Sequence, residues 1–464
     1  MYKLNHFNFN KRKNKYILTN DIGRYSFLKK EELLNLVKRK PLNENLKKEL
    51  IDKSFIYDVD NEIFAQELSP VLRCRKQYIF SATSLHIFVV TKNCNFNCIY
   101  CQAGNLNENE SFNMNKDIAK KAVDIALQSP NRLLNFEFQG GEPLLNFEII
   151  KYIVEYSNEV KGDKIIQYNI VSNLSLLNNE MLEFIKLNNI MICTSIDGDR
   201  ELQNINRVYN KMDSYDATIN NLNKLKKEGI SVSAIETTTK YSLKKYKEII
   251  DEYVSLGFND IFIRPLTQLG KADVNWEKIG YSAEEFIEFY KNSLKYILYL
   301  NQEKGIDVRE RHTILFLKKI LTDNDINYME LRSPCGGAIG QIAYYYNGDV
   351  YTCDEARMIS EMGNNSFLLG NVNDNQYSDF MNSPITKTLC IASCLENLPK
   401  CHSCAYAPYC GVCPVINMAQ EGNIFSRNSF NYRCQIYKGI LDTLFDYIEN
   451  NDEEIMNIFN KWAN

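Results

Sequence analysis

Residues 85–101 read Leu-His-Ile-Phe-Val-Val-Thr-Lys-Asn-Cys-Asn-Phe-Asn-Cys-Ile-Tyr-Cys, an apolar run followed closely by three cysteines. The apolar run is rich in β-branched side chains, which predicts a buried strand over 85–91. The loop after it carries Cys94, Cys98 and Cys101 in a C-x3-C-x2-C pattern. The sequence therefore places a cysteine-bearing loop directly after a core strand.

From this strand onward, short apolar runs alternate with longer helical stretches. The predicted strands cover 85–91, 133–139, 165–171, 190–196, 231–238 and 260–265. The predicted helices cover 116–128, 147–158, 178–187, 215–228 and 243–256. Six β/α repeats indicate an α/β fold with a parallel sheet, which right-handed crossovers would curl into a partial (β/α)6 barrel similar to a TIM barrel. The chemistry of such sheets collects in the loops after the strands' C-terminal ends.

The composition excludes several classes of protein. The 464 residues are 45% hydrophobic and 24% charged, as in soluble globular proteins. Because the net charge is −4, the chain as a whole is not a cationic nucleic-acid binder. The chain starts without an apolar signal stretch and has no run of about 18 apolar residues. We therefore expect a cytoplasmic protein with neither nucleic acid nor membrane as a partner.

The cysteine content points to metal binding. A reducing compartment disfavours a disulfide framework for 14 cysteines, and only four histidines accompany them. So many sulfurs with so few imidazoles favour iron–sulfur clusters, with all-cysteine zinc sites as the alternative. Cys74 and Cys193 are expected to be buried or redox-silent thiols.

The first cysteine loop supplies three thiolates, which cannot ligate all four irons of a [4Fe–4S] cluster. The remaining iron could bind a small molecule and deliver one electron to it. A zinc knuckle is disfavoured here, because structural zinc takes four ligands and no fourth Cys or His lies nearby.

The same loop, with Tyr100 before its last cysteine, resembles the signature of radical S-adenosylmethionine (SAM) enzymes. The resemblance implies that Cys94, Cys98 and Cys101 hold a [4Fe–4S] cluster whose open iron binds the amino and carboxylate groups of SAM. Reductive cleavage of SAM would release a 5′-deoxyadenosyl radical that abstracts hydrogen.

Later strand ends carry residues that resemble the SAM contacts of that family. The implied cofactor-binding residues are Tyr100, Gly140, Gly141, Glu142, Pro143, Ser172, Asn173, Ser195 and Arg207. The two glycines would let backbone approach a ligand, and the Glu142 carboxylate would accept hydrogen bonds from the SAM amino group. Ser172 and Asn173 would suit the ribose, and Ser195 with Arg207 the SAM carboxylate.

Two further features surround these motifs. Relatives often carry a His-Asp pair before the arginine, whereas this chain has Gln203 and Asn204. Arg264, at the end of the sixth predicted strand, is either a polar contact in the barrel mouth or a structural residue.

The C-terminal region carries a second field of cysteines, whose spacing resembles a SPASM domain with two auxiliary [4Fe–4S] clusters. The resemblance assigns Cys401, Cys404, Cys410 and Cys434 to an outer cluster, and Cys335, Cys353 and Cys413 to an inner one. The fourth inner ligand is open: it is Cys390, Cys394 or no protein group. Cys390 and Cys394 have helical i, i+4 spacing, and paired C-x2-C knuckles also describe zinc ribbons.

Asp354 follows Cys353 and occupies the position at which sulfatase-maturing relatives have a catalytic base. A carboxylate there could take a proton after hydrogen abstraction. The alternative is an aspartate that caps a turn.

The N-terminal region has its own pattern, with a strand over 16–27, helices over 30–38 and 43–52, and a return strand over 55–59. It resembles a small winged-helix module, which would recognise a leader peptide by strand addition. The predicted units are this module over 1–80, the radical SAM barrel over 81–310, the SPASM domain over 311–440 and a C-terminal helix over 441–464.

The segments 84–91 and 410–414, together with the N-terminal module, look most like the radical SAM/SPASM maturases of the His-Xaa-Ser peptide system. This implies that a ribosomally made precursor peptide docks in the barrel mouth and acquires a crosslink, a thioether, an epimerised residue or an oxidised side chain. A one-electron donor such as ferredoxin or flavodoxin is a further implied partner, and a second maturase is a candidate. The alternatives are an anaerobic sulfatase-type, formylglycine-forming maturase and a non-catalytic zinc or iron–sulfur binding protein.

Overall fold

The computed structural model describes residues 2–103, 112–210, 212–323, 326–425 and 431–464, and its central feature is one large sheet. The strands are β1 (Lys3–Leu4), β2 (Asn8–Lys11), β3 (Tyr16–Thr19), β4 (Tyr25–Leu28), β5 (Ile56–Tyr57), β6 (Leu85–Thr91), β7 (Asn97–Cys98), β8 (Leu133–Gly140), β9 (Ile165–Val171), β10 (Met191–Ser195), β11 (Arg207–Val208), β12 (Val232–Thr237), β13 (Asp260–Arg264), β14 (Arg309–Glu310), β15 (Gln341–Tyr344), β16 (Asp349–Tyr351) and β17 (Leu368–Asn371).

Helices surround this sheet and cover its outer face. They are α1 (Lys30–Val37), α2 (Glu44–Asp52), α3 (Asn61–Arg75), α4 (Lys116–Ala126), α5 (Phe147–Val160), α6 (Asn179–Leu187), α7 (Arg200–Asn206), α8 (Ser214–Lys227), α9 (Tyr246–Ser255), α10 (Lys271–Val274), α11 (Trp276–Ile279), α12 (Ala283–Lys304), α13 (Arg311–Leu321), α14 (Asp354–Ser360), α15 (Tyr377–Asn382), α16 (Pro384–Ser393), α17 (Pro414–Glu421), α18 (Tyr432–Asn450) and α19 (Glu453–Ala463).

The six predicted barrel strands are all present. They are β6, β8, β9, β10, β12 and β13, and neighbours in this order pair in parallel. Helices α4, α5, α6, α8 and α9 connect them, close to the predicted bounds. The α/β class and the parallel sheet are therefore confirmed.

The sheet extends beyond the six repeats at both edges. At one edge β14 pairs in parallel with β13, and at the other β15 pairs in parallel with β6. Strands β16 and β17 then continue the sheet in antiparallel pairing. The predicted SPASM region therefore shares hydrogen-bonded strands with the barrel across the predicted boundary at residue 311.

The sheet curls around an interior cavity of about 940 Å³, called here the barrel cavity. Strand alternation places the residues: Ile192 and Thr194 of β10 are buried against the helix layer, whereas Cys193 between them lines the cavity. Residues from β6, β8, β9, β10, β12, β13 and β15 share this wall, which is the geometry of a partial barrel.

The N-terminal region contains a β2–β3–β4 antiparallel sheet, a β1–β5 pair and two helices, α1 and α2. The predicted continuous strand over 16–27 is wrong. It is a β3–β4 hairpin, because Gly23 takes a φ of +74° and donates its backbone N–H to the Asn20 carbonyl at 2.8 Å. The likeness to a winged-helix module stays a prediction.

The predicted single helix over 441–464 is also wrong. The end of α18 and the whole of α19 occupy this segment. Asn451 ends α18 in the left-handed region at a φ of +52°, and the Asp452 side chain caps α19 by accepting the Ile455 N–H at 3.0 Å.

Within the described ranges, no helix combines the length and apolar character needed to cross a bilayer.

We expect the buried His86 to lower the stability of the folded protein as the pH decreases. Its Nδ1 lies 3.1 Å from the Tyr344 hydroxyl, and burial lowers its pKa to about 3. The unfolded chain therefore binds the extra proton below pH about 6.5, so stability is complete above that pH and falls by about 2 kcal/mol by pH 5. In urea unfolding at several pH values, His86→Gln should flatten this dependence, whereas the control His6→Gln at an exposed site should not. Identical slopes for wild type and His86→Gln would contradict the assignment.

Candidate active site

The predicted cluster loop surrounds a cavity of about 230 Å³, called here the cluster cavity. Cys94, Cys98 and Cys101 all line it. Burial raises the pKa of Cys98 to about 12, and it also raises the pKa of Cys94. A metal bound among these thiols would supply the positive charge that favours their thiolate form.

The donor set fits a cluster with one iron left for a small molecule. Among the described residues, no three Cys, His, Asp or Glu side chains converge as ligands of a single ion do. Ligands of a cubane are spaced more widely than those of one ion, and these three thiols surround a shared space. Cys94, Cys98 and Cys101 would hold the cluster.

The turn after β8 packs directly against this loop. Gly141 donates its backbone N–H to the Thr91 carbonyl at 3.0 Å, and Glu142 donates to the Asn93 carbonyl at 2.8 Å. A β-carbon on Gly140 would collide with the Thr91 carbonyl, and one on Gly141 with the Asn93 carbonyl. Both glycines also line the cluster cavity. They therefore permit contact with the cysteine loop as well as the predicted approach to a ligand.

The Glu142 carboxylate lies behind the cavity wall and joins two strand ends. Its oxygens accept hydrogen bonds from the Ser172 hydroxyl at 2.7 Å, the Asn173 N–H at 2.8 Å and the Leu144 N–H at 3.0 Å. Burial raises the pKa of Glu142 to about 7, although these donors favour its charged form. Pro143, next in the chain, is also buried. Binding of SAM by Glu142 and Pro143 stays a prediction.

Ser172 and Asn173 line the cluster cavity at the end of β9. Asn173 also donates its side-chain N–H to Asn95 Oδ1 at 2.9 Å, so the end of β9 is hydrogen-bonded to the cysteine loop. Asn95 lies between Cys94 and Cys98, and nothing in the sequence pattern indicates this contact.

Arg207 and Tyr100 meet at a carboxylate that the motif search did not single out. Asp197 is fully buried and accepts hydrogen bonds from the Tyr100 hydroxyl at 2.7 Å and from Arg207 Nε at 3.2 Å and Nη2 at 3.3 Å. Burial alone would lower the pKa of Arg207, but Asp197 raises it above its usual value. The guanidinium is therefore a permanent cation on the cavity wall, beside Ser195.

The side chains of Gln203 and Asn204 both accept hydrogen bonds from the backbone. Gln203 Oε1 accepts the Asp197 backbone N–H at 2.7 Å, and Asn204 Oδ1 accepts the Ser214 N–H at 2.8 Å. Gln203 supports the strand end, and Asn204 supports the start of α8. Both residues act outside the cavity wall.

Arg264 belongs to a charged group that links the barrel to the cysteine-rich region. Its Nη2 donates to Glu330 Oε1 at 2.8 Å, and Arg433 Nη2 donates to Glu330 Oε2 at 2.6 Å. Burial would raise the pKa of Glu330, but the two guanidinium groups lower it to about 2. Arg264 therefore has a structural partner while it also lines both cavities.

Asp354 lies on the wall of the barrel cavity, at the start of α14. Its Oδ1 accepts two N–H groups of the buried Arg357, one from Nε at 3.2 Å and one from Nη2. The position fits a group that meets substrate, whereas the ion pair occupies one of its oxygens. The role of general base stays a prediction.

The predicted outer-cluster cysteines surround a cavity of their own, of about 50 Å³. Its wall includes Cys401, Cys404, Cys410, Cys413 and Cys434. Burial raises the pKa of Cys410, and the neighbouring thiols of Cys434, Cys404 and Cys401 raise it further. The four outer candidates thus share one site.

The predicted inner-cluster cysteines form a neighbouring group. Cys335 and Cys353 are buried in one hydrophobic cluster, and Cys413 packs against it. Burial raises the pKa of Cys353, and Cys413 and Cys335 contribute to the rise. Cys74, by contrast, is exposed on α3.

Comparison with known proteins agrees with this geometry. The sequence profile of the Radical SAM superfamily matches residues 88–241. An uncharacterized protein of Methanocaldococcus jannaschii is 30% identical over 291 residues, which are 62% of this chain and 88% of that protein. The chain belongs to the radical SAM superfamily. As a radical SAM enzyme it uses SAM and a [4Fe–4S] cluster.

Two further relatives match a larger share of this chain. A cysteine-type anaerobic sulfatase-maturating enzyme of Clostridium novyi is 24% identical over 372 residues, 77% of this chain and 94% of that protein. The radical SAM cyclopropyl synthase TigE of Paramaledivibacter caminithermalis is 22% identical over 456 residues, 94% of this chain and 87% of that protein. This radical SAM enzyme is therefore related to sulfatase and peptide maturases.

Two solved structures share the fold. The structure titled native anSMEcpe with bound AdoMet aligns with a TM-score of 0.68 at 20% identity, covering 82% of this chain and 99% of that one. Streptococcus suis SuiB bound to its precursor peptide SuiA aligns with a TM-score of 0.56 at 18% identity, covering 92% and 98%. The narrower likeness to maturases of the His-Xaa-Ser system stays a prediction.

We expect Glu142→Gln to weaken SAM binding about tenfold. The Glu142 carboxylate accepts hydrogen bonds from three donors, and a glutamine amide would turn its own N–H groups toward one of them. The lost hydrogen bond costs about 1–3 kcal/mol. The turn after β8 would then shift on the cysteine loop. The measurement is SAM dissociation by equilibrium dialysis on protein of equal iron content, with the exposed Glu148→Gln as the matched control. Unchanged affinity in Glu142→Gln would show that the turn does not depend on this carboxylate.

Proposed function

We propose that this radical SAM enzyme modifies a ribosomally synthesised precursor peptide by hydrogen abstraction. The observation that carries the proposal is the junction of the two cavities. Five residues belong to both walls: Gln102, Gln139, Val171, Arg264 and Met358. The two cavities therefore adjoin, and a substrate segment in the barrel cavity would lie next to SAM in the cluster cavity.

The size and polarity of the barrel cavity suit a peptide. At about 940 Å³ it lies at the upper end of the range for small-molecule sites and has room for several residues of a peptide. Its wall is polar: Gln139 Nε2 donates to Glu137 Oε1 at 2.5 Å, and Asn169 Nδ2 donates to Glu137 Oε2 at 2.8 Å. Such groups can hydrogen-bond a peptide backbone as well as polar side chains.

The extent of the similarity also favours a precursor peptide over a sulfatase. The SuiB structure covers 92% of this chain, whereas the anSMEcpe structure covers 82%. The TigE match likewise covers 94%. SuiB is bound to a precursor peptide in its solved structure. The larger shared length is consistent with an N-terminal module that holds a leader peptide.

The proposed roles follow from the contacts. Bound to their loop, the cluster and SAM supply a 5′-deoxyadenosyl radical that abstracts hydrogen. Arg207 and Ser195 bind the SAM carboxylate, and Ser172 and Asn173 face the ribose. Glu142 holds the turn that closes the site. A one-electron donor such as ferredoxin or flavodoxin provides the electron, and a second maturase acts on the same peptide.

Two auxiliary [4Fe–4S] clusters complete the proposal. The outer cluster would use Cys401, Cys404, Cys410 and Cys434, which share one cavity wall. The inner cluster would include Cys335, Cys353 and Cys413. Anaerobically reconstituted protein should then contain about twelve irons with matching acid-labile sulfide. Zinc in place of iron would contradict this part.

A formylglycine-forming activity is the second candidate. It is favoured by the similarity to cysteine-type anaerobic sulfatase-maturating enzymes and by Asp354 on the cavity wall. A sulfatase-derived peptide containing the target cysteine separates the candidates, because formylglycine reacts with aldehyde probes. Asp354→Asn should abolish aldehyde formation if Asp354 is the base, with 5′-deoxyadenosine release retained.

The main experiment is anaerobic co-expression with a short open reading frame beside the coding region, followed by mass spectrometry of the peptide. A loss of two hydrogens indicates crosslinking or oxidation. Epimerisation leaves the mass unchanged and is detected by deuterium incorporation from solvent. An unmodified peptide with active SAM cleavage would reject that peptide as the substrate.

We expect the triple variant Cys94→Ala, Cys98→Ala, Cys101→Ala to release no 5′-deoxyadenosine. Its iron content should fall from about twelve to about eight, because the C-terminal cysteines still load. Chromatographic assay of 5′-deoxyadenosine and iron analysis measure both effects. Cys74→Ala, at an exposed cysteine outside the sites, is the control and should retain both values. SAM cleavage by the triple variant would overturn the assignment of the loop.

A further inference from the structure

We propose that Cys390 is the fourth protein ligand of the inner auxiliary cluster, beside Cys335, Cys353 and Cys413. The proposal rests on the auxiliary clusters of the proposed function. It decides among the three arrangements that the sequence leaves open: Cys390, Cys394 or an iron without a protein ligand.

The other three inner cysteines lie close to one another. Cys353 precedes α14 directly, and its Sγ accepts the Ala356 N–H at 3.4 Å in the first turn of that helix. The Cys335 Sγ accepts the Gly337 N–H at 3.4 Å. Backbone N–H groups aimed at sulfur favour a thiolate, as a cluster ligand requires. Cys413 directly precedes α17 and packs against the same hydrophobic cluster.

Helix α16 packs against the Cys335 loop. The Ser393 hydroxyl oxygen accepts the Cys335 backbone N–H at 2.9 Å. Leu389 belongs to the same hydrophobic cluster as Cys335 and Cys353, and its methyl groups lie 3.2 Å from where a Gly337 β-carbon would be. Cys390 follows Leu389 and precedes Ser393 by three positions, so it lies at the edge of the face that meets Cys335 and is partly buried.

The surroundings distinguish Cys390 from Cys394. The groups that act electrostatically on the Cys390 thiol are Cys335, Cys394 and Arg332. Those that act on Cys394 are Glu396 and Lys76, which pair with each other at 2.6 Å. Cys394 lies at the end of α16, where the chain turns into the segment Leu395–Asn397. Of the two, Cys390 is therefore the one near Cys335, whereas Cys394 lies near a surface ion pair.

Four cysteine ligands would close the coordination sphere of the inner cluster. A closed cluster has no iron free to bind a substrate thiolate. The inner cluster would then transfer electrons. A thioether product would have to form without binding of the substrate sulfur to this cluster. The assignment of Cys390 thus restricts the chemistry of this enzyme.

The test uses the full chain carrying the Cys94→Ala, Cys98→Ala, Cys101→Ala substitutions, so that only auxiliary clusters remain. This parent is compared with the same chain carrying Cys390→Ala or Cys394→Ala, each reconstituted, reduced and examined by EPR with and without cyanide. Cyanide binds an iron that lacks a protein ligand. We expect cyanide to change the spectrum of the Cys390→Ala protein alone, and ferricyanide to convert its inner cluster to a [3Fe–4S] form.

Loss of the inner cluster in Cys390→Ala, with iron falling from about eight to about four while Cys394→Ala keeps about eight, supports the proposal equally. Circular dichroism checks the fold. If Cys390→Ala is misfolded, Cys390→Ser decides, because an oxygen ligand should shift the reduction potential of one cluster. An unshifted potential overturns the assignment.

Other outcomes also overturn it. A cyanide response of the parent indicates an open iron, and a response of Cys394→Ala alone assigns the ligand to Cys394. No cyanide response in any of the three proteins, with iron unchanged at about eight in each, removes the role of Cys390. A parent without iron instead refutes the auxiliary clusters themselves, and with them this assignment.

Discussion

The backbone contact between the cysteine loop and the turn after β8 is the constraint on which the site depends. Two side-chain-free positions, Gly140 and Gly141, let the turn lie against the carbonyls of Thr91 and Asn93. From the other side, β11 pairs with β7 and sets Arg207 opposite Cys98. The loop is therefore held between two elements of the barrel rim, which fix the positions of its thiols.

Local pattern predicted the barrel strands well because each is a short segment with buried positions between helical stretches, and most are rich in β-branched residues. The β15–β17 strands were not predicted, since they are three or four residues long and are defined by pairing with β6 far away in sequence. The N-terminal hairpin was merged into one strand because its apolar positions continue through the turn. In each case the missing information was non-local pairing or turn geometry.

The candidate site was likewise predicted only in part from the sequence. Cysteine spacing and the Gly-Gly-Glu-Pro turn carry signals in the sequence, and the structure brings these residues to one cavity. Asp197 carries no such signal, although it binds both Tyr100 and Arg207. A single acidic residue at a strand end has many possible roles, and only the fold brings its two partners together. The same reasoning applies to Glu330 between Arg264 and Arg433.

Strand β15 gives the C-terminal cysteine region an unusual attachment, because it is hydrogen-bonded in parallel to the strand that leads into the first cysteine loop. Cys353 lies two residues after β16, and the antiparallel register of β16 with β15 places it near the start of β6, at the other end of that strand from the loop. Electron tunnelling slows exponentially with separation. A hydrogen-bonded sheet keeps that separation constant while substrate enters and leaves, whereas a flexible tether would let it fluctuate.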